Sequence, residues 1–238
     1  MEPLGRTWHK GLLSMNQLNF ILTSDGSKTL FNPEVGEHYH SRHGALQESR
    51  HVFLNSGLKY FLEGKEEKKA SILEVGFGTG LNFLLSANYC SDNEIYLDYT
   101  GIEAYPLSLE MIGDTDYQQY ISEELWQNFL KNYKRLLRHE VELNPYSKLI
   151  LACTKLQTYE TEKHFDIIYF DAFAAAYQPE MWTHESLAHV SQYLEPGGVF
   201  VTYAITGNLK RSMKALGFSI EKAIGASGKR EMLRAVKL

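Results

Sequence analysis

Residues 71–83, SILEVGFGTGLNF, constrain the fold more than any other stretch of the sequence. Ile72, Leu73 and Val75 form a short apolar run that predicts a buried strand, and an apolar helix begins at Leu81 after three closely spaced glycines. Glycine is needed where the backbone takes a positive φ or approaches a ligand, because a Cβ atom would clash. A strand, a glycine turn and a helix N-terminus together predict a nucleotide-sized site at the carboxyl edge of a parallel sheet.

The glycine spacing distinguishes two classes of cofactor site. Dinucleotide enzymes use G-x-G-x-x-G with no acid fixed before the first glycine, so a dinucleotide oxidoreductase is the weakest candidate. Here Gly76, Gly78 and Gly80 follow Glu74 in a G-x-G-x-G pattern, which is typical of Rossmann-like S-adenosylmethionine (SAM) methyltransferases. A nearby carboxylate suits the cationic ammonium and sulfonium groups of SAM. The alternative is that the glycines only make a tight turn between strand and helix.

A second acid supports the SAM interpretation. Glu103 ends the second predicted strand, 95–103, about twenty residues beyond the glycine loop, where an acid accepts hydrogen bonds from ribose hydroxyls. Helical patterns alternate with further predicted strands, and the chain closes with an antiparallel pair. The later strands are predicted at 148–154, 164–173, 197–204, 218–223 and 231–236. We therefore predict an α/β fold of the class I SAM methyltransferase type, with a seven-stranded, mostly parallel sheet and a terminal antiparallel hairpin.

The first part of the chain predicts a small β-hairpin and helical extension. Residues 16–35 alternate polar and apolar around an Asp-Gly turn, and 45–62 has a helical pattern. We place an N-terminal extension at 1–64 and the methyltransferase domain at 65–238. His38, His40 and His43 invite a metal interpretation, but no Cys or carboxylate completes a standard zinc spacing. A polar loop near the active site is favoured, and no metal is predicted.

Charge and composition limit the partners of the chain. Its net charge of −5 gives no global basic field, so a nucleic acid would have to meet a local patch. The candidates for phosphate contacts are Lys210, Arg211 and Lys214 on a helix and Lys229, Arg230 and Arg234 in the last hairpin, although a solvated face is the alternative. The N-terminus lacks the apolar core of a signal peptide and no run approaches a membrane span, so a cytoplasmic protein is expected.

Asp171 is the candidate catalytic residue. It ends the fourth predicted strand, and ligands in open α/β sheets bind outside the carboxyl ends of the strands. Methyl transfer to an amine needs a free lone pair aligned with the sulfonium methyl group, and a carboxylate can anchor the amine and take its proton. The alternative is that Asp171 caps the following turn.

Four segments carry a specific resemblance: 73–83, 44–54, the run DAFA at 171–174 continuing to Pro179-Glu180-Met181-Trp182, and the tail GKREML at 228–233. Together they resemble the methyltransferase half of the MnmC family, bifunctional bacterial enzymes that mature the wobble uridine of certain tRNAs to 5-methylaminomethyl-2-thiouridine. The resemblance implies SAM-dependent methylation of the exocyclic amine of 5-aminomethyl-2-thiouridine, with the tRNA anticodon stem-loop as partner.

The resemblance also assigns residues. Cofactor contacts are implied at Glu74, Gly76, Gly78, Gly80, Glu103 and Asp171. Glu48 and Phe173 lie in the resembling segments and are assigned to substrate binding. The basic residues assigned to the same role are Lys210, Arg211, Lys229 and Arg230. Cys153-Thr154 replaces the usual acid after the third strand, and 175–178 departs from the common Pro-Ala-Lys-Asn. No FAD-dependent oxidase half is present, so the chain is expected to perform only the methylation, on an amine that a separate oxidase unmasks.

Two other functions are open at this point. One is a SAM-type methyl- or aminopropyl-transferase that acts on a small-molecule or protein amine and shares the same core. The other is a non-catalytic SAM- or nucleotide-binding module, against which the position of Asp171 argues.

Overall fold

A computed structural model describes residues 18–226, 228 and 230–238, and Lys229 lies outside this range. A small antiparallel sheet comes first, with strands β1 (Asn19–Leu22), β2 (Lys28–Asn32) and β3 (Glu37–His38). The predicted hairpin is confirmed, since Leu22 pairs with Lys28 across the Asp-Gly turn. In this turn Asp25 Oδ1 accepts a hydrogen bond from the Ser27 backbone N–H at 3.0 Å, a local bond that favours the turn.

The second sheet has eight strands in the order β10-β11-β9-β8-β4-β5-β7-β6. In chain order they are β4 (Lys69–Val75), β5 (Tyr96–Ile102), β6 (Val141–Asn144), β7 (Ser147–Ala152), β8 (Phe165–Phe170), β9 (Leu194–Thr202), β10 (Phe218–Ile224) and β11 (Glu231–Lys237). The pairings from β9 through β8, β4 and β5 to β7 are parallel, and the outer pairings are antiparallel. The predicted fold class, a mostly parallel sheet with a terminal hairpin, is confirmed.

The predicted count of seven strands is wrong by one. β6 pairs antiparallel with β7 at the edge of the sheet. Its four residues, VELN, are too short and too polar to stand out in the sequence, although Val141 and Leu143 are both buried. Asn144 Oδ1 closes the tight turn into β7 by accepting hydrogen bonds from the Tyr146 N–H and the Ser147 hydroxyl.

The predicted helix over 45–62 is present, in three consecutive parts: α1 (Ala45–Glu48), a π-helical stretch Ser49–Lys59 and α2 (Tyr60–Leu62). It lies against the sheet so closely that a Cβ on Gly57 would come within 2.7 Å of the Tyr169 ring. A bulkier residue at Gly57 would therefore push the helix off the sheet. The remaining α-helices are α3 (Leu81–Asp92), α4 (Leu109–Gly113), α5 (Glu123–Leu136), α6 (His184–Ser191) and α7 (Gly207–Ala215).

Two cores cover the two faces of the sheet. One holds Phe83, Phe129 and Tyr169 under α3, α5 and the 45–62 helix. The other holds Phe170 and Phe200 under α6 and α7. Leu30, Val52 and Leu58 from the N-terminal part belong to the first core, while the boundary near residue 64 stays a prediction. Among the described residues, no helix is both long and apolar enough to cross a membrane.

Candidate active site

The glycine loop follows β4 and touches two other parts of the chain. Gly76, Gly78 and Gly80 have φ of 85°, 51° and 80°, which side chains with a Cβ rarely adopt. A Cβ on Gly76 would lie 2.4 Å from the Asp171 carbonyl oxygen, and one on Gly78 would lie 3.0 Å from the Tyr39 ring. The first glycine thus lets the ends of β4 and β8 approach, and the second makes room beneath an aromatic ring.

Glu74 lies inside the protein, just before the loop, with none of its surface exposed. Its Oε1 accepts a hydrogen bond from Asn82 Nδ2 and its Oε2 accepts one from the Tyr99 hydroxyl, both at 2.8 Å. Burial raises the pKa of Glu74 well above its ordinary value, while these two hydrogen bonds oppose the shift. Both oxygens of Glu74 thus have partners within the protein, and its predicted cofactor contact stays a prediction.

Glu103 follows β5 and is only partly buried. Its Oε2 accepts a hydrogen bond from the Gly78 N–H at 3.0 Å and its Oε1 accepts one from the Tyr105 N–H at 2.9 Å. Burial raises the pKa of Glu103, and the backbone N–H groups of Tyr105, Gly78 and Ala104 oppose the shift. The acid predicted to meet the ribose is therefore joined directly to the glycine loop.

Asp171 comes directly after β8 and is partly buried. Its backbone N–H donates to the Val75 carbonyl at 2.9 Å, which ties it to the strand before the loop. Its Oδ2 accepts a hydrogen bond from Asn82 Nδ2 at 2.8 Å. The predicted catalytic carboxylate thus stands beside the glycine loop, where parallel strands of this sheet present their carboxyl ends.

The segment after Asp171 is held by two side chains. The Tyr203 hydroxyl donates to the Ala172 carbonyl, and Trp182 Nε1 donates to the Phe173 carbonyl, each at 2.8 Å. The Trp182 ring also packs edge-on against Tyr203 at 6.2 Å between centroids. These contacts explain why DAFA and the later MW pair belong together, since the tryptophan fixes the backbone beside the carboxylate.

The N-terminal part adds a wall to the site. The Tyr39 ring packs edge-on against Phe173, with centroids 5.2 Å apart, and covers Gly78. Burial and the neighbouring Glu103 raise the pKa of the Tyr39 hydroxyl. Glu48 on α1 is 5% exposed, and its Oε1 accepts a hydrogen bond from the Ser41 N–H at 3.0 Å.

The three histidines of the loop have separate surroundings. His40 is buried with Nδ1 3.3 Å from the Thr29 hydroxyl, and burial lowers its pKa to about 4. His38 packs on Phe31, while His43 lies against Gly228 in the turn between β10 and β11. Across residues 18–226, 228 and 230–238, no three His, Cys, Asp or Glu side chains form a metal-binding group.

The predicted basic residues occupy two elements. Lys210 is partly buried and Arg211 exposed on α7, where Arg211 donates to Asn208, and Arg230 is exposed in the β10–β11 turn. Arg234, in the next strand, is bound to Glu221 and stacks on the Tyr60 ring, so it is not available to a phosphate.

Three residues of the site were not predicted from the sequence: Tyr39, Asn82 and Tyr203. Asn82 did leave a signal, because it is the one amide in the apolar first turns of α3, LNFLLSA. A polar side chain on a buried helical face must find a polar partner, and the nearby acids were the available ones. No comparable signal marks the two tyrosines, because aromatic residues are common in the core.

The comparison with known families decides the class of the protein. The family model for S-adenosyl-L-methionine-dependent methyltransferases matches residues 117–238, which is more than half of the 238-residue chain. The chain belongs to this methyltransferase family. SAM dependence, predicted from the glycine loop and Glu103, is thereby confirmed.

Individual curated relatives of the chain are MnmC proteins. The tRNA 5-methylaminomethyl-2-thiouridine biosynthesis bifunctional protein MnmC of Pseudomonas savastanoi is 32% identical over 213 residues, which is 82% of this chain and 31% of that protein. The MnmC protein of Aromatoleum aromaticum is 29% identical over 231 residues, which is 93% of this chain and 36% of that protein. The predicted resemblance is confirmed, and the chain spans about a third of the length of the curated relatives it matches.

A solved structure supports the fold. The crystal structure of MNMC2 from Aquifex aeolicus superposes with a TM-score of 0.71 at 24% identity, over 92% of this chain and 70% of that chain. At this identity the likeness concerns the fold alone.

Proposed function

We propose that the methyltransferase transfers a methyl group from SAM to the exocyclic amine of 5-aminomethyl-2-thiouridine at the wobble position of tRNA, giving 5-methylaminomethyl-2-thiouridine. The observation that carries the proposal is the Asp171 carboxylate, which stands beside the glycine loop and accepts a hydrogen bond from Asn82 at 2.8 Å. The names of the MnmC relatives supply the substrate class.

The residues present fit the cofactor. The partly buried Glu103 carboxylate, oriented by the Gly78 and Tyr105 N–H groups, suits the ribose hydroxyls. The backbone of Gly76 and Gly78 can lie against the rest of the molecule, because no Cβ intervenes. When bound, SAM supplies a methyl group on a positively charged sulfur that a lone pair can attack.

Asp171 has two roles in this proposal. Its carboxylate holds the incoming amine by hydrogen bonds, which aligns the nitrogen lone pair with the methyl group. It also accepts the proton that the nitrogen loses, because an ammonium group has no lone pair to attack with. Phe173 and Tyr39, packed edge-on, bound the same space and would exclude water from it.

The partner is the anticodon stem-loop of tRNA, met by basic residues at the rim of the site. Arg42 and His43 are exposed in the loop before α1, and His43 touches Gly228 in the turn that carries Arg230. Lys210 and Arg211 on α7, with Lys229, complete the proposed phosphate contacts. Such contacts fix the register of an RNA, while the wobble base enters the site.

Two further parts of the proposal concern the cellular setting. The amine substrate must be unmasked first, and we assign that step to a separate oxidase acting upstream. The expected compartment is the cytoplasm, where tRNA is modified.

The decisive experiment measures methyl incorporation from labelled SAM into tRNA that carries 5-aminomethyl-2-thiouridine, with unmodified tRNA as control. Transfer to the modified tRNA alone supports the substrate, the cofactor and the reaction together. SAM binding without transfer to tRNA, combined with transfer to a panel of small primary amines, would instead favour the small-molecule alternative.

A matched pair of variants tests the role of Asp171. Asp171→Asn should lower the rate constant of methyl transfer about 10²–10⁴-fold, because Asn accepts no proton. Asp166→Asn is the control, since Asp166 lies at the opposite end of the same strand and accepts hydrogen bonds from Ser71. A wild-type rate in Asp171→Asn would remove Asp171 from the mechanism.

A further inference from the structure

Asn82 occupies a position between two carboxylates that the proposed function does not yet explain. It lies in the first turn of α3 and is 3% exposed. Its amide nitrogen donates to Glu74 Oε1 and to Asp171 Oδ2, and both distances are 2.8 Å. One side chain therefore joins the fully buried acid of the glycine motif to the acid at the mouth of the site.

The other end of this amide has no partner. Asn82 Oδ1 is buried and makes no hydrogen bond within the part of the chain that the structure describes. An amide nitrogen has two hydrogens, and here both are used by the two acids. The reversed amide would place Oδ1 against the Asp171 carboxylate, which has no hydrogen to donate when it is ionised, so that acid, rather than any bond to Oδ1, determines how the side chain points.

We propose that Asn82 is a positioning residue that fixes the orientation of the Asp171 carboxylate and keeps it ionised for the incoming amine. The identity of the amine rests on the proposed function, whereas the effect on Asp171 does not. We assign Asn82 no contact with the amine or with the methyl group.

The charges around Asp171 explain why such a residue is needed. Glu74 and Tyr99 face it from the interior and Tyr203 faces it from the end of β9, and each interacts electrostatically with Asp171. None of these three groups supplies a positive charge to Asp171, and any negative charge on Glu74 would oppose one on Asp171. A hydrogen bond donated to the ionised carboxylate acts in the opposite direction.

Glu74 contributes to the same arrangement. Burial raises its pKa well above the ordinary value for a carboxyl group. Burial thereby favours the neutral form of Glu74, and Asp171 is the less buried of the two acids. Asn82 can serve both members, because a carboxyl oxygen accepts a hydrogen bond in either protonation state.

The test follows Asp171 directly, without any substrate. In protein labelled with ¹³C at aspartate side chains, the Asp171 carboxyl signal is assigned by its loss in Asp171→Asn, and its titration is followed by NMR. In Asn82→Ala and Asn82→Asp the titration midpoint should move to higher pH by about one unit or more, with the larger move for Asp, because a donor is lost and a like charge is added. Asn82→Ala keeps the test open if the Asp variant does not fold.

Asn88→Asp is the matched control on the same helix. Asn88 donates to Asp92 at 2.8 Å and accepts from Ser122, away from the site. The Asn88→Asp variant should therefore leave the titration midpoint of Asp171 unchanged. An unchanged midpoint in folded Asn82→Ala, as judged by the melting temperature and by binding of S-adenosylhomocysteine, overturns the proposal.

Activity then separates this proposal from the substrate assignment. If tRNA is the substrate, the acidic limb of the kcat/KM profile should move with the NMR midpoint in the Asn82 variants, a change that a loss of packing alone does not produce. If the midpoint moves but the wild type methylates no tRNA, the role of Asn82 stands and the substrate assignment fails.

Discussion

Two glutamates at neighbouring strand ends, Glu74 and Glu103, show how the same residue type can serve opposite purposes. Glu74 is fully buried, and side chains of Asn82 and Tyr99 hold it. Glu103 keeps an exposed part, and backbone N–H groups of Gly78 and Tyr105 hold it. One acid is held inside the protein behind the loop, and the other is the acid that we propose for the ribose of the cofactor.

The glycine pattern alone therefore does not tell whether the acid before the loop contacts a ligand. Its role depends on whether its oxygens face the interior or the pocket, which the one-dimensional pattern does not record. Side-chain donors make the Glu74 site sensitive to mutation at distant positions along the chain. Backbone donors make the Glu103 site insensitive to the side chains around it.

The largest expected difference is in cofactor binding. Glu103→Ala should weaken SAM binding about tenfold to a hundredfold, because hydrogen bonds to a charged acceptor contribute about 1.5–3 kcal/mol. Glu74→Gln should change the dissociation constant far less, since Glu74 has no exposed surface. Isothermal titration with S-adenosylhomocysteine measures both variants, and equal losses in the two would remove the distinction between the two acids.

The next difference is in the pH dependence of stability. The pKa of Glu74 is raised in the folded protein, so above the ordinary value of about 4.3 the folded chain keeps a proton that the unfolded chain releases. The wild-type free energy of unfolding should therefore contain a contribution that is complete below that pH. This contribution falls by about 1.4 kcal/mol per pH unit as pH rises toward the folded-state pKa.

Glu74→Gln removes that contribution. In urea unfolding between pH 5 and 8, the free energy of unfolding of this variant relative to that of the wild type should therefore increase as pH rises. The Tyr99 hydroxyl can turn to accept from the new amide, which keeps the site hydrogen-bonded. Glu110→Gln, at an exposed position of α4, is the control and should run parallel to the wild type. A parallel Glu74→Gln curve would show that Glu74 is ionised in the folded protein.

The smallest expected effects concern the donors. Tyr99→Phe leaves Glu74 Oε2 without its hydroxyl donor and should lower the free energy of unfolding by about 1 kcal/mol. Tyr105→Ala should change it by less than about 0.5 kcal/mol, because Glu103 binds the backbone N–H and the Tyr105 ring is 58% exposed. Urea unfolding of both variants tests the contrast, and a larger loss in Tyr105→Ala would contradict it.

Much of the fold could be predicted because its elements have strong local patterns. The strands β4, β5 and β8 are apolar runs bounded by glycine or acid, and the hairpin before β2 has an Asp-Gly turn. β6 was not predicted, because four residues are too few to show the alternation of apolar and polar residues that marks a strand. The π-helical hydrogen bonding of Ser49–Lys59 also left no sign, since it depends on how the helix fits the sheet.

The site was predictable in its strand-end acids and not in the groups that hold them. Asp171 and Glu103 follow from strand order, because carboxyl ends of parallel strands share one edge. Tyr39 and Tyr203 reach the site from remote parts of the chain, and only the packing of the N-terminal hairpin and β9 brings them there. Long-range placement of this kind depends on the whole fold rather than on local sequence.

The sheet order also has a consequence for how the chain is made. Within the described residues, β10 pairs only with β11, which lies between it and β9. On the ribosome, β10 is therefore synthesised before the strand that connects it to the sheet. The contacts of His51 with Ile224 and of His43 with Gly228 also depend on β10 and the turn after it being held in place. A nascent chain that lacks residues 231–237 has the glycine loop and all three acids but not the strand that attaches β10 to the sheet.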